Sequence, residues 1–345
     1  MVINMLRVAH TRVFICVTSI VLVASIVALT GCGRGVQRGQ GGPMPKPPVM
    51  PPPPPPRVVV AIDQTLRTQS MQHIEAAFAS SDPFLRANAV EATQRAIGAQ
   101  GAARVIAALD DSEAVVRFAG TMAAGSLELK QAYPKLKSML DDTNPSVCVA
   151  VRYALHRLGD VSNSRDLEIF STSPDARVRA NVALALGLLG EPTGIRLLRP
   201  MQADIDPAAR MQAFEAMYRL GDERAREKLI IGTVSAFPDD QIISLLALAG
   251  PRDNRVFKVL AGKLTSDYPE VSLAAARALG MIGSDDGMTV ALKSLSSNDP
   301  RQRAMAALAL GDIGRADAQG ALGKLLRDAT PSVRLAAATA ILQLK

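Results

Sequence analysis

Between residues 65 and 345 apolar and small residues return at three- and four-residue spacing, in stretches broken by short polar segments rich in Pro, Gly, Asp and Ser. That spacing lines one face of a helix, and the breaks are too short for anything but tight connections, so the pattern predicts helical hairpins. Aligned on one recurring position, Arg86, Arg117, Cys148, Arg179, Arg210, Gln241, Ser272, Arg303 and Arg334 follow each other at steps of 31 residues with no insertion. A fixed period of this length marks a repeat array.

Other columns keep the same frame. Six residues after the anchor stand Ala92, Ala123, Ala154, Ala185, Ala216, Ala247, Ala278, Ala309 and Ala340, alanine in all nine units. Three residues before it stand Pro83, Pro145, Pro207, Pro238, Pro269, Pro300 and Pro331, with Ala114 and Ala176 in the other two units. Proline suits the first helical position, whose amide has no partner, and Asp82, Asn144, Asp206, Asp299 and Thr330 ahead of it are suited to capping. Glycines such as Gly187, Gly190, Gly280, Gly283, Gly311 and Gly314 close the first helix, and Leu136, Leu167, Leu198, Leu229, Leu260 and Leu322 mark a second. Neither helix can bury its stripe alone, so the units must stack. The alanine column is placed where successive helices approach most closely.

The unit from Pro238 to Asp253 departs from the pattern. Asp240 and Gln241 replace Val-Arg, and Pro251 stands in the turn, which predicts an opened hairpin or an altered stacking angle. The last first helix has no second helix after it. Ile341 and Leu344 therefore read as uncovered, a possible surface for self-association.

The Pro-x-Val-Arg start and Ala-Leu-Gly-x-Leu-Gly-Asp turn, cleanest in Ser173–Glu191, Asp299–Gly314 and Pro331–Ile341, resemble the HEAT-repeat superfamily in its short phycobilin-lyase-type form. The resemblance implies an all-α fold, a right-handed α-solenoid of about eight to nine 31-residue helical hairpins. In related solenoids the second helices line the concave side. The same resemblance offers an enzymatic alternative, a bilin lyase or isomerase subunit.

Composition agrees with packed helices: 48% of residues are apolar, only 3% aromatic, and there is no Trp. A core of Ala, Leu and Val favours helix over sheet. The net charge of +7 invites a nucleic-acid reading, but six of the 39 basic residues lie in the first 61, which hold no acid. The remaining 33 face 32 acids, so the repeat region is nearly neutral and no nucleic-acid partner is expected.

At the N terminus, Arg7 and Arg12 precede an apolar run from Val13 to Leu29, and Leu29-Thr30-Gly31-Cys32 follows. This resembles a bacterial lipobox. Residues 1–31 read as a lipoprotein signal peptide, with Cys32 as the lipid attachment that fixes the chain to a membrane. The implied location is the cell envelope, facing the periplasm, on the outer membrane if the source has one. Residues 32–64 form a Gly- and Pro-rich tether whose polyproline stretch, Pro43 to Pro56, reaches roughly 40 Å at about 3.1 Å per residue. Residues 65–345 are the solenoid.

Candidate chemistry is sparse. His73 and His156 lie far apart, no His-Glu dipeptide or zinc spacing occurs, and neither a phosphate loop nor a nucleophile elbow is present. Cys148 has no sequence-placed base, and recurring Asp pairs sit at unit boundaries as caps. No catalytic residue, metal or cofactor is expected. On the second helices Arg165, Arg196, Arg199, Arg224, Lys228, Arg255 and Lys258 outnumber nearby acids, so they form the candidate partner-binding face. The reading is a tethered, non-catalytic scaffold for a protein or an acidic envelope polymer, with a structural assembly factor as a further alternative.

Overall fold

The computed structural model describes residues 61–345; the signal segment, Cys32 and the tether as far as residue 60 lie outside the described residues. The described chain is all helical, with eighteen α-helices and no strand. The first, α1, spans Gln64–Phe78 and is capped by the Asp63 side chain, so it starts at the last residue assigned to the tether. Nine first helices follow in register: α2 (Pro83–Ala96), α4 (Ala114–Ser126), α6 (Pro145–Arg157), α8 (Ala176–Leu189), α10 (Pro207–Arg219), α12 (Pro238–Ala249), α14 (Pro269–Met281), α16 (Pro300–Ile313) and α18 (Pro331–Gln343). Between them lie shorter second helices: α3 (Ala102–Ala107), α5 (Tyr133–Ser138), α7 (Leu167–Ser171), α9 (Ile195–Met201), α11 (Glu223–Gly232), α13 (Phe257–Ala261), α15 (Met288–Ser294) and α17 (Gln319–Leu325).

Helix starts follow the sequence chemistry. Pro occupies the first turn of seven first helices, and side chains of Asp82, Asn144, Asp175, Asp206 and Asp299 accept amide hydrogens of the first turn. Gly190 and Gly314 end α8 and α16 in the left-handed conformation, with φ of 74° and 75°, where a side chain would strain the backbone.

The alanine column is buried throughout, none of its members exceeding 3% exposure. Its partners are glycines on the neighbouring first helix: a methyl added to Gly125, Gly187 or Gly311 would stand 2.7, 2.8 or 2.9 Å from the Cα of Ala154, Ala216 or Ala340. Successive first helices thus meet backbone to backbone, as the column predicts. The second-helix column is equally dry, with Leu136, Leu167, Leu198, Leu229, Leu260 and Leu322 all at or below 1% exposure.

First helices pack directly on one another from unit to unit, whereas successive second helices touch only sparsely. Crowding on one side and spreading on the other means that the first helices hold the inner radius. This corrects the expectation, taken from related solenoids, that the second helices line the concave side. Ion pairs that skip a unit agree: Arg301 of α16 reaches Asp239 of α12 at 3.7 Å, and Arg95 of α2 reaches Asp312 of α16 at 2.6 Å.

The array also closes on itself. Helix α18 packs against both α1 and α2. The Asp63 amide donates to Gln319 Oε1 at 2.8 Å, Gln319 Nε2 donates to the Ala61 carbonyl at 3.0 Å, and Leu66 covers Gly323 of α17. On its other flank α1 meets α3 through Glu75 and Arg104 at 2.5 Å. Helix α1 is therefore the second helix that α18 lacks in sequence, and nine first helices and nine second helices make a ring. Ile341 and Leu344, at 0% and 4% exposure, are covered from within the chain. The expected open end for a second copy loses its premise, because α1, the first helix among the described residues, closes the last unit.

The irregular unit is present as expected. Helix α12 ends at Ala249, Gly250 stays right-handed and Arg252 turns left-handed at φ 57°. Contact between α10 and α12 is the thinnest between neighbouring first helices. An ion pair, Arg219 to Glu215 at 2.8 Å, fills the junction, with Arg219 also donating to the Gly250 carbonyl at 3.3 Å.

Candidate binding surfaces

The anchor arginines are built into the joints between units. Arg86, Arg117, Arg179 and Arg303 each grip an aspartate 25 residues on, Asp111, Asp142, Asp204 and Asp328, through two nitrogens at 2.6 to 3.0 Å. A third nitrogen donates to carbonyls of the loop before its own helix, such as Ser80 and Ser297. The arginines hold Asp111, Asp204 and Asp328 below the ordinary carboxylate range; burial alone would raise Asp142, but Arg117 keeps it low as well. The same aspartates accept the amide two residues on, which shapes the turn into the next helix. A column of this kind is a clamp, with its donors already engaged.

Other chemically suggestive residues are likewise engaged. The Cys148 thiol donates to the Asp142 carbonyl at 3.1 Å, and burial pushes its pKa up, away from the reactive thiolate. His156 lies in the last turn of α6, beside Glu191 at 2.9 Å. His73 of α1 lies at the closure; partial burial and nearby Arg334 lower its pKa. Among the described residues no group of three or more His, Cys, Asp or Glu could hold a metal.

The predicted face is brought together, though on the outer radius. Arg165 precedes α7, Arg196 and Arg199 lie on α9, Arg224 and Lys228 on α11, Arg255 precedes α13 and Lys258 lies on it, and all are exposed. Arg196 pairs with Glu168 at 2.9 Å, and Arg255 with Glu223 and Asp253 at 2.9 and 2.6 Å. Arg165, Arg199, Arg224, Lys228 and Lys258 have no side-chain ion pair among the described residues. Glu168, Glu223 and Glu227 are exposed acids among them.

The inner face holds a concavity the sequence reading passed over. It is walled by α2, α12, α14, α16 and α18, with Ile242, Leu246, Met305, Leu308 and Leu335 as its apolar surface and Arg95, Arg277 and Arg301 as its cations. Arg95 and Arg277 converge on Asp312 at 2.6 and 2.9 Å, and Arg301 faces Asp239, so the charges are matched within the wall. The column before the alanines carries no clean signal for it, since Leu246 and Leu308 inside the concavity are apolar like Met122, Tyr153 and Leu184 outside it, and Glu215 outside it is acidic like Glu91.

Residues 167–233 and 288–345 match the family described as HEAT repeats. A HEAT repeat-containing taxis protein of Halobacterium salinarum is 32% identical over 136 residues, which is 39% of this chain and 30% of that protein. The chain thus spans under a third of that relative's length. A solved phycocyanin lyase complex from Nostoc is similar at 21% identity, with a TM-score of 0.44, over 64% of this chain and 91% of the other. Human deoxyhypusine hydroxylase is similar at 18% identity and a TM-score of 0.37, over 81% and 96%. The family match bears out the repeat resemblance for residues 167–233 and 288–345, and the all-helical repeat array of the described residues is an α-solenoid.

Proposed function

We propose that the protein is a non-catalytic scaffold, held to an envelope membrane through lipidated Cys32, that takes an acidic protein or acidic envelope polymer on its outer cationic band. The carrying observation is the contrast between two sets of cations. Clamp arginines such as Arg117 and Arg179 are fixed between units with their nitrogens occupied, whereas Arg165, Arg199, Arg224, Lys228 and Lys258 stand exposed on four successive units without ion pairs. One sign of charge displayed along a rigid surface attracts and steers an oppositely charged partner. The placement on the outer radius suits this role, since the inner wall neutralises its own charges. Tethering follows from the Leu29-Thr30-Gly31-Cys32 motif and the proline-rich spacer behind it.

The test uses the full-length chain in membranes, with labelled polyglutamate as the acidic probe. Binding should weaken steeply with salt and fall at least tenfold in Arg199→Glu/Arg224→Glu/Lys228→Glu. Charge reversal on the opposite side of the ring, at Lys324, should leave it unchanged. Equal binding by both variants would defeat the proposal, as would a chromophore retained on the purified chain.

A further inference from the structure

The residue ahead of the helix-starting proline reads Asp82, Asn144, Asp206, Asp299 and Thr330 where proline is present, except in two consecutive units, where it is Phe237 and Tyr268. Helices α12 and α14 accordingly start without a side-chain cap. A missing cap destabilises a helix start. Neither ring is repaid by burial: Phe237 is 68% and Tyr268 48% exposed. Because α12 and α14 pack side by side, the two aromatics project from adjacent helix starts on one edge of the ring. Ile231 and Val234, at the end of α11 just before Phe237, are 61% and 70% exposed, and Ile205 before α10 is 92% exposed. Isolated exposed apolar side chains are ordinary; five large ones gathered on consecutive units, two of them at positions that cap in five of the other seven units, mark a contact surface.

The surrounding charge is acidic. Asp239 and Asp240 occupy the first turn of α12, Glu270 that of α14, and Asp267 precedes Tyr268. Of the cations beside these helix starts, Arg301 faces Asp239, Arg210 is held on the Asp204 and Ile205 carbonyls and Lys263 on Gln241, while Lys228, unpaired among the described residues, stands one turn before Ile231 at the border of the patch. We propose that this edge is a docking site for a basic amphipathic segment of a partner protein, its aliphatic side chains against Phe237, Tyr268 and Val234 and its lysines or arginines toward Asp239, Asp267 and Glu270. Aromatic faces beside carboxylates favour cations twice, through ring quadrupole and through charge. The outer cationic band has the opposite sign and borders this site at Lys228 of α11.

The variant Phe237→Asn/Tyr268→Asn restores a capping residue in both units without changing charge. Full-length protein is titrated with a fluorescent synthetic helix of alternating leucine and lysine faces, and with its glutamate-for-lysine counterpart. The lysine peptide should bind wild type at least tenfold more tightly than the double variant and than the glutamate peptide, with Asp239→Asn/Glu270→Gln intermediate. The double variant should melt no lower than wild type. Equal peptide binding would overturn the proposal. So would a lowered melting temperature, which would make the aromatics structural, or a wild-type dimer that the double variant abolishes, which would make the occupant a second copy.

Discussion

Replacing Asp312 by asparagine removes one charge from the place where the ring closes. Asp312 on α16 receives Arg95 of α2 at 2.6 Å and Arg277 of α14 at 2.9 Å, so it ties three units across the seam. The three side chains expose 12%, 11% and 15% of their surface. Burial alone would raise the carboxyl's pKa; the two guanidiniums overcome this and hold it below its ordinary value. Asparagine would leave two guanidiniums in a poorly solvated wall without a counterion. Breaking one partner out of a buried pair costs about 3–5 kcal/mol. At about 2–4 °C per kcal/mol for a chain of this size, the melting temperature should fall by roughly 6–20 °C. Hydrogen exchange should locate the loss in α1, α2 and α18, ahead of α6 and α8. Arg95→Met should cost less in the Asp312→Asn background than in wild type, because the pair is already broken. A drop under about 2 °C, well below the shift expected from breaking a buried pair, would refute this account of the seam. Protection lost equally around the ring would refute it as well.

Ala216→Leu forces three more heavy atoms against Gly187, where the backbones already meet, and should lower stability by about 1–3 kcal/mol in chemical denaturation. Asp204→Ala strands the Arg179 guanidinium and removes a turn acceptor, for an expected loss of about 1.5–3 kcal/mol by the same measurement. Since Asp111, Asp142, Asp204 and Asp328 all titrate below their unfolded value, their contribution is complete above pH of about 4 and is lost as pH falls through the folded value. Acid titration should show stability declining in that range, and less steeply in Arg179→Met. His73 is also depressed, so protonation should loosen α1 as pH falls below about 6.5, read by hydrogen exchange in α1 and absent in His73→Gln.

Period, helix starts and the buried alanine column are legible in the sequence because each follows from a local rule: proline at the first turn, a cap before it, and no room for a larger side chain. The closure was also written there, in the leucine column. Carried back from Leu136 by steps of 31 residues, the column meets Val105 and then Ile74, both buried. The described array thus begins with a second helix and ends with a first. Reading forward from the first proline hides this, since the partner of α18 lies about 260 residues upstream and no local signal links them. The clamp is half legible. Aspartate follows 25 residues after Arg86, Arg117, Arg179 and Arg303, while serine follows Cys148, Gln241 and Ser272 and also Arg210, which accordingly has no clamp partner, a pairing between columns that a single column does not reveal. Arg165 to Lys258 are exposed on or beside successive second helices, and which radius they occupy depends on how units curve. Curvature comes from the close backbone approach of the first helices, summed around the whole array.

An open repeat array can fray from either end, one unit at a time, because each unit leans only on its neighbours. Here α1 seals the last unit, so there is no terminal unit from which unzipping can begin. The helix that leaves the ribosome first among the described residues must wait for the one that leaves last, a contact between the two extremes of the array. Until α18 arrives, α1 packs on α2 without its other neighbour and the unfinished array exposes a raw edge at each end. Completion is then a single late event, and its reversal must part the whole seam of α18 against α1 and α2 at once. Half-assembled forms should be short-lived and the finished ring slow to open.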